Sequence, residues 1–243
     1  MLEVLILSGY TPKGLRKLIS FQHLEITTKL PVLPEDQIAN LSSLQTLRIE
    51  FCNHVESLFG GIKLPTLKVL CIANCKSLKF LPLDIEHFPV LETLLVDNCD
   101  ALEFSKEHKQ SSNLRLKIVN FISLLKLVTM PHWLQGSVDT LHYLLISSCN
   151  NLVGLPQWPS AMNSLKTLCV TSCPNMLSLP NDIHHLITLE RLEIDGYPEF
   201  FQHLTTDEPE EVEKERMEQE IQILIAHLQP GSVKSLISIP SSS

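Results

Sequence analysis

The sequence predicts an α/β solenoid of about nine repeats, with a curved parallel β-sheet on a concave face and an irregular or short helical convex side. Three observations predict it. A short apolar pattern recurs about every 24 residues along most of the chain. Within each copy the apolar residues alternate with period 2, which is the pattern of a half-buried strand. Leucine supplies 44 of the 243 residues and glycine only 8, which suits a packed, repetitive interior and excludes collagen-like or Gly-rich chains.

The clearest copies have the form L-x-x-L-x-I-x-x-C. They run Leu44, Leu47, Ile49, Cys52; Leu67, Leu70, Ile72, Cys75; Leu91, Leu94, Val96, Cys99; Leu141, Leu144, Ile146, Cys149; and Leu165, Leu168, Val170, Cys173. Leu189, Leu192, Ile194, Tyr197 is a last copy with Tyr in place of Cys. Weaker copies are Leu2, Leu5, Leu7, Tyr10; Phe21, Leu24, Ile26; and Leu116, Ile118, Phe121. The second apolar position falls at 5, 24, 47, 70, 94, 116, 144, 168 and 192, in steps of 19, 23, 23, 24, 22, 28, 24 and 24. A strand of about five residues cannot bury its apolar face alone, so such copies stack, forming a parallel sheet over one continuous core.

The remainder of each copy returns the chain to the next strand. Leu81-Pro82, Leu155-Pro156 and Leu179-Pro180 each place proline seven residues after the copy's cysteine, and Leu33-Pro34 and Met130-Pro131 are looser versions. Proline lacks an N–H and marks the irregular convex side. Ile85 and Ile183, three residues on, are expected to turn back into the core. The 28-residue step between Leu116 and Leu144 predicts an enlarged connector holding Pro131, Trp133, Leu134 and Gly136, with Trp133 and Trp158 packed on the convex side.

The L-x-x-L-x-I-x-x-C…L-P-x-x-I form resembles the leucine-rich repeat, in the variant of plant intracellular nucleotide-binding leucine-rich repeat (NBS-LRR) disease-resistance proteins. The resemblance covers residues 1–203. It implies a non-catalytic protein–protein interaction module, the C-terminal sensing and autoinhibitory region of a cytoplasmic defence receptor. The partners it implies are the receptor's own nucleotide-binding domain and a pathogen effector or guarded host protein. It implies no cofactor here, because ADP or ATP belongs to a nucleotide-binding domain that is absent from these residues. A second reading is a substrate-recruiting leucine-rich repeat domain of a ubiquitin ligase, or another repeat scaffold. That class also carries Cys at this position but generally lacks the L-P pair, and no F-box-like segment is read ahead of the repeats.

On the concave face, the residues between the apolar strand positions are the candidate binding surface: Thr46, Arg48, Glu50, Thr93, Asp97, Arg115, Lys117, Tyr143, Leu145, Thr167, Arg191 and Glu193. Charge collects near both ends, and apolar or small residues lie between. Arg115 and Lys117 make a basic point in the sixth copy, with Tyr143 and Leu145 one copy further on. Exposed Tyr, Leu and Arg are the usual anchors of protein interfaces. The alternative is an ordinary solvated face.

Cys52, Cys75, Cys99, Cys149 and Cys173 share one repeat position and read as a structural ladder, because a small, weakly polar thiol suits a buried turn. The competing reading is zinc, from Cys71-x3-Cys75 and Cys169-x3-Cys173. Cys71 and Cys169 alternate away from the core while Cys75 and Cys173 end their strands, so each pair diverges. No histidine completes either set. Asp84 with His87, repeated as Asp182 with His185, resembles an acid–base pair. The pair recurs because the repeat recurs, and it falls on the connector, as does the neighbouring His184. No G-x-S-x-G, H-E-x-x-H or G-x-x-x-x-G-K-[ST] motif appears.

The net charge is −8, and Asp207 to Glu220 alone holds eight acids against Lys214 and Arg216. The rest is near neutral and has no basic stripe to follow a phosphate backbone, so no nucleic-acid partner is expected. No apolar run approaches the roughly 18 residues of a membrane span; Phe121 to Met130 comes nearest, interrupted by Lys126. Met1 to Tyr10 lacks a signal-peptide pattern, so the seven cysteines are expected to be free thiols, and Asn40-Leu41-Ser42 reads as a chance glycosylation sequon. No polar cap precedes Leu2, so the chain is expected to be part of a longer polypeptide. Residues 204–229 are expected to form an acidic amphipathic helix, with Met217, Ile221, Leu224, Ile225 and Leu228 on one face and Pro230-Gly231 ending it. That helix would cap the last repeat or dock a partner. Residues 230–243 read as a flexible Ser-rich tail.

Overall fold

A computed structural model describes residues 4–9, 20–104, 114–155, 162–176, 186 and 188–194. The chain divides into two compact units, Met1–Gly196 and Tyr197–Ser243. The expected helix of 204–229 and the tail of 230–243 lie outside the described residues, as do Trp158, Ile183, Asp182, His184 and His185.

Nine strands form one parallel sheet in chain order: β1 Val4–Gly9, β2 His23–Thr28, β3 Thr46–Glu50, β4 Val69–Ala73, β5 Thr93–Asp97, β6 Ile118–Ile122, β7 Tyr143–Ser147, β8 Thr167–Thr171 and β9 Arg191–Ile194. Strands that pair only with their sequence neighbours and all run parallel require a crossover in every copy, which makes a β-solenoid. About six of its turns are described. Among the described residues the crossovers are mostly irregular. One contains a short helix, α1 (Glu35–Ala39), and another a 3-10 helix over His132–Ser137.

The register stacks like on like. Leu47 faces Leu70, which faces Leu94, and Ile49 faces Ile72, which faces Val96. Leu24, Leu47, Leu70, Leu94, Leu144 and Leu168 are all at most 1% exposed and form one inward column; Ile26, Ile49, Ile72, Val96, Ile146 and Val170 form the second. Burying one such side chain contributes about 1.5–3 kcal/mol, and each inward residue packs on its equivalents in the two neighbouring copies.

The sixth copy sits three residues away from the sequence expectation. Leu94 pairs with Val119 and Val96 with Phe121, so the copy reads Leu116, Val119, Phe121, Leu124. All four are fully buried. Two alternating patterns overlap there, Leu116-x-Ile118 and Val119-x-Phe121. The second prevails because it alone fills every inward position of the repeat. The steps around it become 25 and 25, and the expected enlarged connector disappears. Trp133 instead packs edge-on against Phe121 at a centroid distance of 6.1 Å, with Phe104 at 6.0 Å.

The turns satisfy their own polar groups. Directly after their strands, Phe51, Asn74, Asn98, Ser123, Ser148 and Ser172 take φ between 48° and 56°. The first five of these donate their N–H to a carbonyl of the next copy, as in Asn74 to Asp97 at 2.9 Å. Cys52 and Cys75 follow, buried, and each thiol donates to a strand carbonyl of the preceding copy, Ile26 or Ile49, at 3.8 Å. Cys149 does the same toward Phe121. Leu124 interrupts this column. On the return path, Thr66, Thr140 and Thr188 donate their hydroxyls to the carbonyls of Leu44, Leu116 and Leu165, stapling each copy to the one before.

Ile85 does not return to the core. It is 37% exposed, and Leu83 and Phe88 fill that space instead. Phe88 packs edge-on against the buried Phe59 at 5.6 Å. The larger ring reaches the core from a position that a turn leaves free, whereas Ile85 lies within the turn that Asp84 caps.

Candidate protein-interaction face

Each strand turns alternate residues away from the core, onto the face the sequence reading assigns to the concave side. Three rows result. The first contains Thr46, Val69, Thr93, Ile118, Tyr143, Thr167 and Arg191. The middle row contains Glu25, Arg48, Cys71, Leu95, Asn120, Leu145, Cys169 and Glu193. The third contains Glu50, Ala73, Asp97, Ile122, Ser147 and Thr171.

Ten of the twelve sequence-predicted surface residues stand in these rows; Arg115 and Lys117 do not. The register of β6 places Lys117 just ahead of the strand and Arg115 further back, both exposed, so they flank the face. Lys117 instead pairs with Glu92 at 2.9 Å, and Val119 is core. Ile118 takes the outward place. Glu25, in the weaker second copy, joins the middle row without being among the expected surface residues, although the Leu24-x-Ile26 alternation marks it.

Lateral crowding decides accessibility within the rows. Strands about 4.8 Å apart bring side chains of adjacent copies into contact. Arg48, Glu50, Thr93 and Thr167 are accordingly under 9% exposed, while Thr46, Asp97, Tyr143, Leu145 and Glu193 are partly open and Arg191 is exposed. Arg48 pairs with Glu50 on the same strand, and Arg191 with Glu193 at 2.7 Å. One Arg-x-Glu pair thus stands near each end of the face. Between them the middle of the face is largely apolar, with Leu95, Asn120 and Leu145 in one row, flanked by Ile118, Tyr143 and Ile122. The side-chain oxygen of Asn120 is buried and has no hydrogen-bond partner among the described residues.

Burial shapes the titration of this face. Desolvation raises the Glu25 carboxyl, with Arg48 offsetting part of the effect and Glu50 adding to it. Asp97 is also raised, first by burial and then by the charge of Glu50. Burial pushes the Cys71 thiol up to about 12 and Cys169 up to about 11, the latter with a further push from Glu193. Neutral thiols at these values are poor nucleophiles and poor metal ligands.

The other candidate chemistry resolves into structure. Asp84 accepts from the backbone N–H groups of Glu86 and His87 at 2.9 Å and from the His87 ring at 2.8 Å, an arrangement that closes the connector turn. Burial alone would raise the Asp84 carboxyl, but the hydrogen bonds from His87 outweigh it and hold the carboxyl below its usual range. Among the described residues, no three His, Cys, Asp or Glu side chains gather as a metal site, and no helix is long and apolar enough to cross a membrane.

The fold is that of a leucine-rich repeat domain. The leucine-rich repeat domain of the type III effector XCV3220 (XopL) superposes with a TM-score of 0.54 at 20% identity, over 79% of this chain and 76% of that one. At that identity the match shows the fold alone. In sequence, the chain is 30% identical over 121 residues to the Arabidopsis thaliana disease resistance protein RPS4B, a weak similarity covering 49% of this chain and 10% of the relative. The match thus spans about a tenth of that relative's length. No family model matches the chain.

Proposed function

We propose that the chain is a non-catalytic protein–protein interaction module of nine repeats, the C-terminal sensing and autoinhibitory region of a cytoplasmic plant disease-resistance receptor. The observation that carries this reading is the half-open apolar centre of the sheet face, where Leu95 and Leu145 stand with Ile118 and Tyr143 beside them. The similarity to RPS4B supports the receptor setting. In that setting the face holds the receptor's own nucleotide-binding domain in its resting state, and a pathogen or guarded host protein competes for it. Such a ligand acts only through different affinity for the two states. Arg115 and Lys117 extend the surface along its edge.

Leu145→Arg in a full-length receptor carrying this chain tests the reading. The expected result is weakened association with the nucleotide-binding domain, read by co-immunoprecipitation, together with signalling in the absence of pathogen. Unchanged association and unchanged signalling would contradict it.

A further inference from the structure

We propose that Cys149 and Cys173 are a modification site, where hydrogen peroxide joins the two thiols in a disulfide that staples the turn after β7 to the turn after β8. This is independent of what the open face binds.

The two residues hold one repeat position in adjacent copies. Ser147 pairs with Thr171 at the ends of β7 and β8, and each cysteine follows two residues later. The N–H of Ser148 donates to the Thr171 carbonyl at 3.0 Å, which keeps the two turns in step beyond the strands. Each thiol hangs from an equivalent carbonyl: Cys149 donates to Ser147 at 3.5 Å and Cys173 to Thr171 at 3.4 Å. The backbones therefore stand one strand spacing apart, about 4.8 Å, inside the Cα separation of about 4.4–6.8 Å that disulfides span. The thiols are hydrogen-bonded to each other as well.

Cys52, Cys75 and Cys99 stack in the same manner on the other side of Leu124, but all three are buried. Of the seven cysteines, all of them among the described residues, Cys173 alone is partly exposed. It stands between exposed Ser172 and Pro174. A thiol that an oxidant reaches, beside a second thiol that resolves it, is the arrangement of a redox-sensitive pair. The hydrogen bond with Cys173, and after it burial, raise the Cys149 thiol, so Cys149 stays protonated while Cys173 meets the oxidant.

The Cys173 thiolate, its proton released to water, attacks one oxygen of the peroxide. The O–O bond breaks, an S–O bond forms, and the departing hydroxide takes up that proton. The Cys149 sulfur then attacks the Cys173 sulfenic acid: the S–S bond forms, the S–O bond breaks, and the Cys149 proton leaves with the hydroxyl as water. The two thiols lose two electrons in all, and one peroxide becomes two waters. The parallel backbones keep the two Cβ atoms about one spacing apart, wider than the mean of about 3.8 Å in relaxed disulfides, so a small thiol should reduce the bond readily.

The test exposes the folded full chain to hydrogen peroxide, blocks the remaining thiols with N-ethylmaleimide, and maps unreduced tryptic peptides by tandem mass spectrometry. Fragmentation distinguishes Cys173 from Cys169 on the same peptide. The expected product links Cys149 to Cys173, is lighter than the two thiols by two hydrogen atoms, and is reversed by dithiothreitol. Before oxidation, N-ethylmaleimide should label Cys173 at least about tenfold faster than Cys52 or Cys75. In Cys149→Ser, oxidation should stop at a Cys173 sulfenic acid that dimedone traps; in Cys173→Ser, Cys149 should stay reduced. Both thiols still reduced, Cys173 oxidised without a link to Cys149, or a link formed first within the buried stack would overturn the inference. So would a link that forms only once the circular dichroism of the sheet is lost.

Discussion

At the residue scale, direction along the strand sets what a side chain contributes. Leu70 points inward and is fully buried, whereas Thr46 points outward and is partly open. Leu70→Ala is expected to cost about 2–5 kcal/mol through the cavity it leaves, and Thr46→Ala under about 0.5 kcal/mol, both read by urea denaturation. Equal losses would invert the assignment. Phe51→Asn is expected to stabilise the fold, since a bulky left-handed residue costs about 1–2 kcal/mol that Asn largely avoids. Asp84→Ala should cost about 1 kcal/mol at neutral pH by uncapping its turn. The folded Asp84 pKa is depressed, so its contribution is complete above the unfolded value of about 3.9 and is lost as pH falls through the folded value. The gap between wild type and Asp84→Ala should therefore start to narrow below about pH 4 and vanish below the folded value; a gap that does not narrow as pH falls would mean that the charge of Asp84 is not what holds the turn. The inward or outward sense of most residues was legible in the sequence because strand alternation is local. The near-complete burial of Arg48 and Glu50 was not, because it depends on neighbours one copy away, as does the choice of Phe88 over Ile85 for the core.

At the element scale, the recurring L-x-x-L-x-I-x-x-C made eight of the nine strands legible. The sixth was misplaced because Val119 stands where other copies have Leu and Leu124 where most have Cys, so the pattern of residue types was hidden while its polarity was intact. The observed register makes a sharp prediction. Val119→Ala should cost about 2 kcal/mol, while Lys117→Ala, which loses only an exposed ion pair, should cost under about 0.5 kcal/mol. The register read from the sequence puts both Lys117 and Val119 on the solvent side and requires both costs to be small. The same shift moves Arg115 and Lys117 off the face, which is why the basic point expected there stands at its edge.

At the scale of the whole molecule, strands that pair only with sequence neighbours make the solenoid a one-dimensional stack, stable through the interface between successive copies. Amide exchange should therefore be slowest in β4 to β7 and faster toward β2 and β9, each of which has fewer copies beyond it. The proposed interaction surface belongs to this scale as well. No single copy holds the site, and an open face with an apolar middle and a charged pair near each end exists only because nine strands align in register. The most direct test of that claim places a photo-crosslinking benzophenone residue at Leu145, on the open face, or at Val90, on the exposed connector between β4 and β5, in a full-length receptor carrying this chain. Crosslinks to the nucleotide-binding domain or to another discrete protein from position 145, with little from position 90, are the predicted result. Crosslinks from position 90 and none from 145 would contradict the assignment of the open face as the interaction surface.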